Sequence, residues 1–130
     1  MPELVDDVSI GDDERLLHRI RPEDVIVDLE TGQRRPTSAT FKSKSNIISV
    51  DLASLTTPDK ALAGYPHHAL VEIDVATIRS LGCKVARDPL PDNPSHALLY
   101  GSRPDGRMTQ SQAREIVSRC RWVPVEPVPK

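Results

Sequence analysis

Apolar positions along this chain change their period several times, and each change marks an element. Leu16, Leu17 and Ile20 surround His18 and Arg19 in a short run that Pro22 ends by biasing Arg21 toward an extended conformation, so Arg15 to Arg21 reads as a strand. The following PEDVIVD places a proline and two acids where a first helical turn would sit. Its Val25, Ile26 and Val27 are β-branched, however, and both helix and strand stay open there. Thr31-Gly32 reads as a turn, and Arg34-Arg35-Pro36 as a basic loop after it. Thr37, Ala39 and Phe41 then alternate with Ser38, Thr40 and Lys42 in strand period, and Asn46 to Leu52 reads as another strand.

In the second half, Thr57 and Pro58 are placed to cap and open a short helix that ends near Gly64. His68 to Ile73 is a strand with apolar residues on both faces, followed by a helix carrying Val75, Ile78 and Leu81 that Asp74 caps and Gly82 stops. Lys84 to Arg87 and Ser95 to Tyr100 read as strands on either side of DPLPDNP, whose three prolines exclude a regular element. Thr109 and Gln112 have capping-box spacing ahead of Ala113, Ile116, Val117 and Cys120, which share one helical face. Trp122 and Val123 return to the sheet. The expectation is an α+β fold: a single small domain over residues 15–123, with a mixed or antiparallel sheet and two or three short helices.

Charge changes the picture at the ends. Glu3, Asp6, Asp7, Asp12, Asp13 and Glu14 have no basic residue among them, so residues 1–14 read as an acidic, poorly ordered lead-in, and residues 124–130 as a proline-rich tail. With a net charge of −2, nothing draws the chain toward nucleic acid or a membrane surface. Phe41, Tyr65, Tyr100 and Trp122 are the only aromatic rings, too few and too scattered for a base-stacking platform. Cys83 and Cys120 lack the spacing of a metal or redox motif and read as small buried hydrophobes. No apolar run approaches the roughly 20 residues that span a bilayer, and no secretory leader is visible, so the expected location is the cytoplasm.

Phosphate-loop, dinucleotide-fingerprint, zincin, hydrolase-elbow and EF-hand motifs are all missing, and the catalytic residues stay unassigned. His18, His67, His68 and His96 are too scattered to predict a metal site. The densest polar cluster is RRPTSATFKSK, where Arg34 and Arg35 offer forked donors and Ser38 and Thr40 hydroxyls: either a phosphate site or a solvated edge.

The order of these pieces, over about Arg15 to Gly101, resembles a minimal ADP-ribosyltransferase-type domain. The resemblance implies that LLHRI supplies His18 or Arg19 to the ribose and pyrophosphate of NAD, and that RPTSATF supplies Ser38. HALVEID and VATIRSLG resemble the later strand and helix of small members of that group. SHALLYG carries His96 where the family carries its glutamate, and Glu72 lies on an earlier strand. The phrase DPLPDNPSHALLYG also resembles a bacterial family, a resemblance that carries no function.

Two functions follow as expectations. The first is a protein-binding or accessory module without a cofactor, its partner another protein, with a second copy of the chain as the variant of that reading. The second is an enzyme or pseudo-enzyme that binds NAD or ADP-ribose, with His18, Arg19, Arg35, Ser38 and His96 as the ligand-binding candidates and His18, Arg35, Ser38 and His96 lining one cleft.

Overall fold

Strand β1 (Arg15–Ile20) sits at the centre of the computed structural model, which describes residues 5–42 and 47–124. Its alternation sends Leu16, His18 and Ile20 to one face and Leu17 and Arg19 to the other. Around it run β4 (Ile48–Leu52), β5 (Ala69–Asp74), β6 (Lys84–Arg87), β7 (His96–Tyr100) and β8 (Arg121–Trp122), in the order β6-β7-β4-β1-β5-β8. Every pairing is antiparallel, which settles the choice between a mixed and an antiparallel sheet. β2 (Val25–Val27) and β3 (Arg34–Pro36) form a separate hairpin, so PEDVIVD is one 3-10 turn followed by a strand. The basic stretch Arg34–Pro36, expected as a loop, is the second strand of that hairpin.

Helices α2 (Val75–Ser80) and α3 (Gln110–Arg119) cover the face that carries Leu16, Ile20, Val50, Ile73, Val85 and Leu99, and these residues form the main core with Ile78, Ala113 and Ile116. On the opposite face a smaller cluster joins Leu17 and Leu70 to Ala61 of α1 (Pro58–Ala61). The α3 capping box is complete: Thr109 Oγ1 accepts from the Gln112 amide at 3.1 Å, and the Gln112 side chain accepts from the Thr109 amide at 3.0 Å. Asp74 stands at the N-cap of α2 as expected, yet its carboxylate makes no capping bond and pairs with Arg121 at 2.9 Å instead. Gly82 stops α2 with φ of 82°, where a side chain would be strained. Gly101 ends β7 under the returning 102–108 turn. A Cβ there would lie 2.2 Å from the Met108 Cα, so no side chain fits.

Two further expectations are corrected. Residues 37–42 are not a strand: Ser38–Phe41 is a 3-10 turn that turns Phe41, 1% exposed, into the core. The acidic lead-in is also part of the packed structure from Val5 onward; Met1–Leu4 lie outside the described residues. Ile10 is 1% exposed in the core, and Arg79 of α2 donates to the carbonyls of Asp7 and Ile10 at 3.0 and 2.8 Å and to the carboxylates of Asp6 and Asp12 at 3.0 and 2.5 Å. The Asp12 and Asp6 carboxylates hold the Arg79 pKa above its ordinary value.

The same segment closes an open edge. β6 is the last strand on its side of the sheet, and its outward amides are taken up by carboxylates: Val85 donates to Asp6 at 3.1 Å and Arg87 to Asp7 at 3.3 Å. An unpaired strand edge invites association, and here the acids block it. The Ser9 hydroxyl and amide, followed by the Arg87 amide, hold the Asp7 carboxyl below its usual range. Among the described residues, no helix is long and apolar enough to cross a membrane.

Candidate functional site

The two central strands stay paired for only two positions. β1 and β4 pair at Leu16↔Leu52 and Leu17↔Asp51, although both strands continue. Beyond Leu17 they part, and the His18 side chain bridges the gap. Its Nδ1 lies 3.2 Å from the Ser49 carbonyl, its Nε2 3.0 Å from the Thr40 carbonyl and 3.1 Å from the Thr40 hydroxyl, with the ring centred 4.8 Å from that of Phe41. Desolvation pushes the His18 pKa below its ordinary value, against the opposing pull of the Thr40 and Ser49 carbonyls. The neutral ring is satisfied when Nδ1–H donates to Ser49 and Nε2 accepts from the Thr40 hydroxyl.

This gap opens into a crevice of about 600 Å³ lined by Arg19, Arg21, Asp24, Lys42, Ser49 and His68 besides His18. Two cations, Arg21 and Lys42, face one acid there among the described residues, and that acid, Asp24, is already held by Arg21 at 3.1 Å. The Asp24 carboxylate raises the Arg21 pKa by hydrogen bond and by charge. His68 Nδ1 is buried without a hydrogen-bond partner among the described residues. An orphan of this kind marks either strain or a group that a water or ion completes.

Arg19 points to the other face and forms one wall of a second cleft of about 820 Å³. Its guanidinium donates to Asp51 at 3.3 Å and to the Ala61 carbonyl at 3.1 Å, and lies 4.2 Å from the centre of the Tyr65 ring. Asp51 is 3% exposed and also accepts from Asn93 at 2.9 Å and from Ser95 at 3.0 Å. A buried carboxylate with three donors is an anchor, not a free base. His96 stands opposite Asp51 in register and leans away, with Nδ1 2.9 Å from the Asp88 carbonyl and 3.1 Å from its carboxylate. Exposed Leu55, Tyr65 and Leu90 line the cleft, along with Lys60.

Arg35 and Ser38 lie elsewhere, in a third cleft between the β2–β3 hairpin and α3. The five candidates therefore divide: His18 at the crevice, Arg19 with His96 at the cleft on the other face of the sheet, and Arg35 with Ser38 at the hairpin. The dinucleotide shell that would have joined His18, Arg35, Ser38 and His96 is not assembled by any cleft described here. Asp51, Asn93, Ser95 and Arg114 were missed as site residues. A lone aspartate within the apolar run IISVDL was the one local signal for Asp51.

Cys83 is buried and Cys120 half-buried; desolvation pushes both thiols up to about 11, so neither is a thiolate at neutral pH. Among the described residues no group of three or more His, Cys, Asp or Glu is placed to hold a metal ion. Comparison with protein-family models, with curated proteins and with solved structures finds no match, and none of the three bears on the ADP-ribosyltransferase-type resemblance.

Proposed function

We propose that the protein is a binding module that takes a small anionic ligand, bearing a phosphate or carboxylate, into the crevice where β1 and β4 part. The carrying observation is the charge of that crevice: Arg21 and Lys42 against Asp24 alone among the described residues, around strands whose ladder has been given up. Backbone groups released from a ladder and cations at their side are the usual means of holding an oxyanion. The orphan His68 Nδ1 adds a polar group whose cost, about 1–3 kcal/mol, is unrecovered in the free protein. NAD and ADP-ribose, which the family resemblance implies, belong to this ligand class. That Arg35, Ser38 and His96 line other clefts weighs against the extended dinucleotide contact of a transferase.

Thermal unfolding with millimolar inorganic phosphate, ADP-ribose and NAD tests the reading. A ligand at 100 times its Kd stabilises the native state by about 2.7 kcal/mol, and that shift is expected to vanish in Lys42→Ala and shrink in Arg21→Ala. If none of the three raises the melting temperature of the wild-type chain, the reading is wrong. A protein-binding or accessory module is the second reading, supported by exposed Leu55, Tyr65 and Leu90 around the Asp51 cleft. Retention of a partner by Lys42→Ala together with its loss in Leu90→Asp would favour it.

A further inference from the structure

The hairpin and α3 enclose a cleft of about 630 Å³ whose lining, among the described residues, carries two arginines and no carboxylate. Strand alternation aims the side chains. Arg35 pairs with Ile26 across the hairpin, and both line the cleft, whereas Arg34 turns to the opposite side, where its carbonyl accepts from the Trp122 indole at 3.1 Å. That indole bond ties the hairpin to β8. On the facing wall, α3 presents Arg114, Val117 and Ser118, residues whose spacing places them along one flank of the helix.

Neither Arg35 nor Arg114 makes a salt bridge among the described residues, and Asp28 at the hairpin turn feels Arg35 only through space. Two guanidinium forks from separate elements therefore face one volume with no carboxylate among the described residues that line it. Hydroxyls stand beside them. Ser38 accepts from Gln110 at 3.3 Å, which leaves its own proton to donate, and Ser118 donates to the Glu115 carbonyl at 2.8 Å. Thr37 Oγ1 is buried without a hydrogen-bond partner among the described residues. Ile26, Pro36 and Val117 supply apolar surface next to the charge.

We propose that this cleft is a second oxyanion site, independent of the crevice, and that it takes a phosphate monoester: the dianionic head between Arg35 and Arg114, the carbon portion against Ile26, Pro36 and Val117. A planar guanidinium matches phosphate oxygens two at a time, and two of them balance a charge near −2. The apolar wall is what separates an ester from bare phosphate, because an inorganic ion leaves that surface wet.

Chemical-shift titration of the full chain tests this with phenyl phosphate, inorganic phosphate, phenol and a short phosphotyrosine peptide as probes. Phenyl phosphate is expected to shift the amides of residues 35–38 and 114–118, to bind at least about ten-fold more tightly than phenol or inorganic phosphate, and to weaken about ten-fold in Arg35→Ala and in Arg114→Ala. Both arginines are exposed, so the variants should keep the wild-type melting temperature. Lys42→Ala, at the crevice, should leave this binding unchanged. Tighter binding of the peptide assigns the monoester to a protein partner, and equal binding assigns it to a small molecule. Inorganic phosphate binding as tightly as phenyl phosphate, or Arg114→Ala binding as the wild type does, overturns the proposal.

Discussion

Arg79 is where a single substitution should tell most about how this fold is held. It donates to two backbone carbonyls in partly buried surroundings and to two carboxylates, and all four acceptors lie in the segment 6–12. Each carbonyl bond from a charged donor contributes about 1–1.5 kcal/mol net. The two carboxylate pairs are more exposed, Asp12 at 70% of its side chain, so about 0.5 kcal/mol each is the appropriate figure after solvent screening. Arg79→Ala should therefore cost about 3 kcal/mol. With an unfolding entropy near 2.1 cal/mol/K per residue, a chain of this length should melt about 10–12 °C lower. Urea unfolding of the wild type and the variant in low and high salt measures it. Only the carboxylate part, about a third, should shrink with salt. Arg79→Lys should recover little, because one ammonium cannot serve four acceptors arranged around a fork. A loss below about 1 kcal/mol would refute the reasoning, since it would mean that Ile10 and the edge bonds to β6 hold the segment without the arginine.

Other expectations follow from neighbouring features. The folded pKa of His18 lies below its ordinary value near 6.5, so the neutral ring contributes stability that is whole above that pH and is lost as pH falls below it through the folded value; the melting temperature of His18→Gln should vary less between about pH 5 and 7 than that of the wild type. Arg19→Met leaves the buried Asp51 carboxylate without its cation and should cost about 3 kcal/mol in urea unfolding, most of it recovered when Asp51→Asn is added. Gly101→Ala drives a Cβ into the Met108 backbone and should cost more than about 3 kcal/mol, seen as a lowered melting temperature or loss of soluble protein. Thr109→Ala, at the α3 capping box, should cost about 1 kcal/mol by the same measurement.

Local chemistry made much of this fold legible. The α3 box, the glycine that stops α2 and the apolar alternation of β5 each depend on residues within a few positions, and each is in the structure where the pattern places it. The misreadings share a cause, which is a partner far away in sequence. Residues 1–14 look like a solvated tail until Arg79, some seventy positions on, is seen to bind Asp6 and Asp7. Thr37 to Lys42 alternate as a strand would, but Phe41 has a place in the core and Thr40 bonds His18, and these long-range contacts outweigh a weak period in a polar window. The site shows the same limit. Arg35 and Ser38, close in sequence, share a cleft, whereas the adjacent His18 and Arg19 reach opposite faces of the sheet and Asp51 meets Asn93 and Ser95 across 42 and 44 positions. Nothing in the run around Asp51 announces them.

The two-position ladder between β1 and β4 makes the sheet a pair of leaves on a short spine. One leaf is β6-β7-β4 and the other β1-β5-β8, each continuous within itself, joined by backbone only at Leu16↔Leu52 and Leu17↔Asp51. The strands of the two leaves interleave along the chain, so neither leaf is made by a contiguous stretch, and cutting the chain between them is impossible. His18 fills the end where the leaves part, while Arg19 and Asp51, bonded across the join on the other face, act as its stitch. The breadth of the crevice is in this sense a property of the whole sheet, set by how firmly four residues and one ion pair hold two halves of a page together.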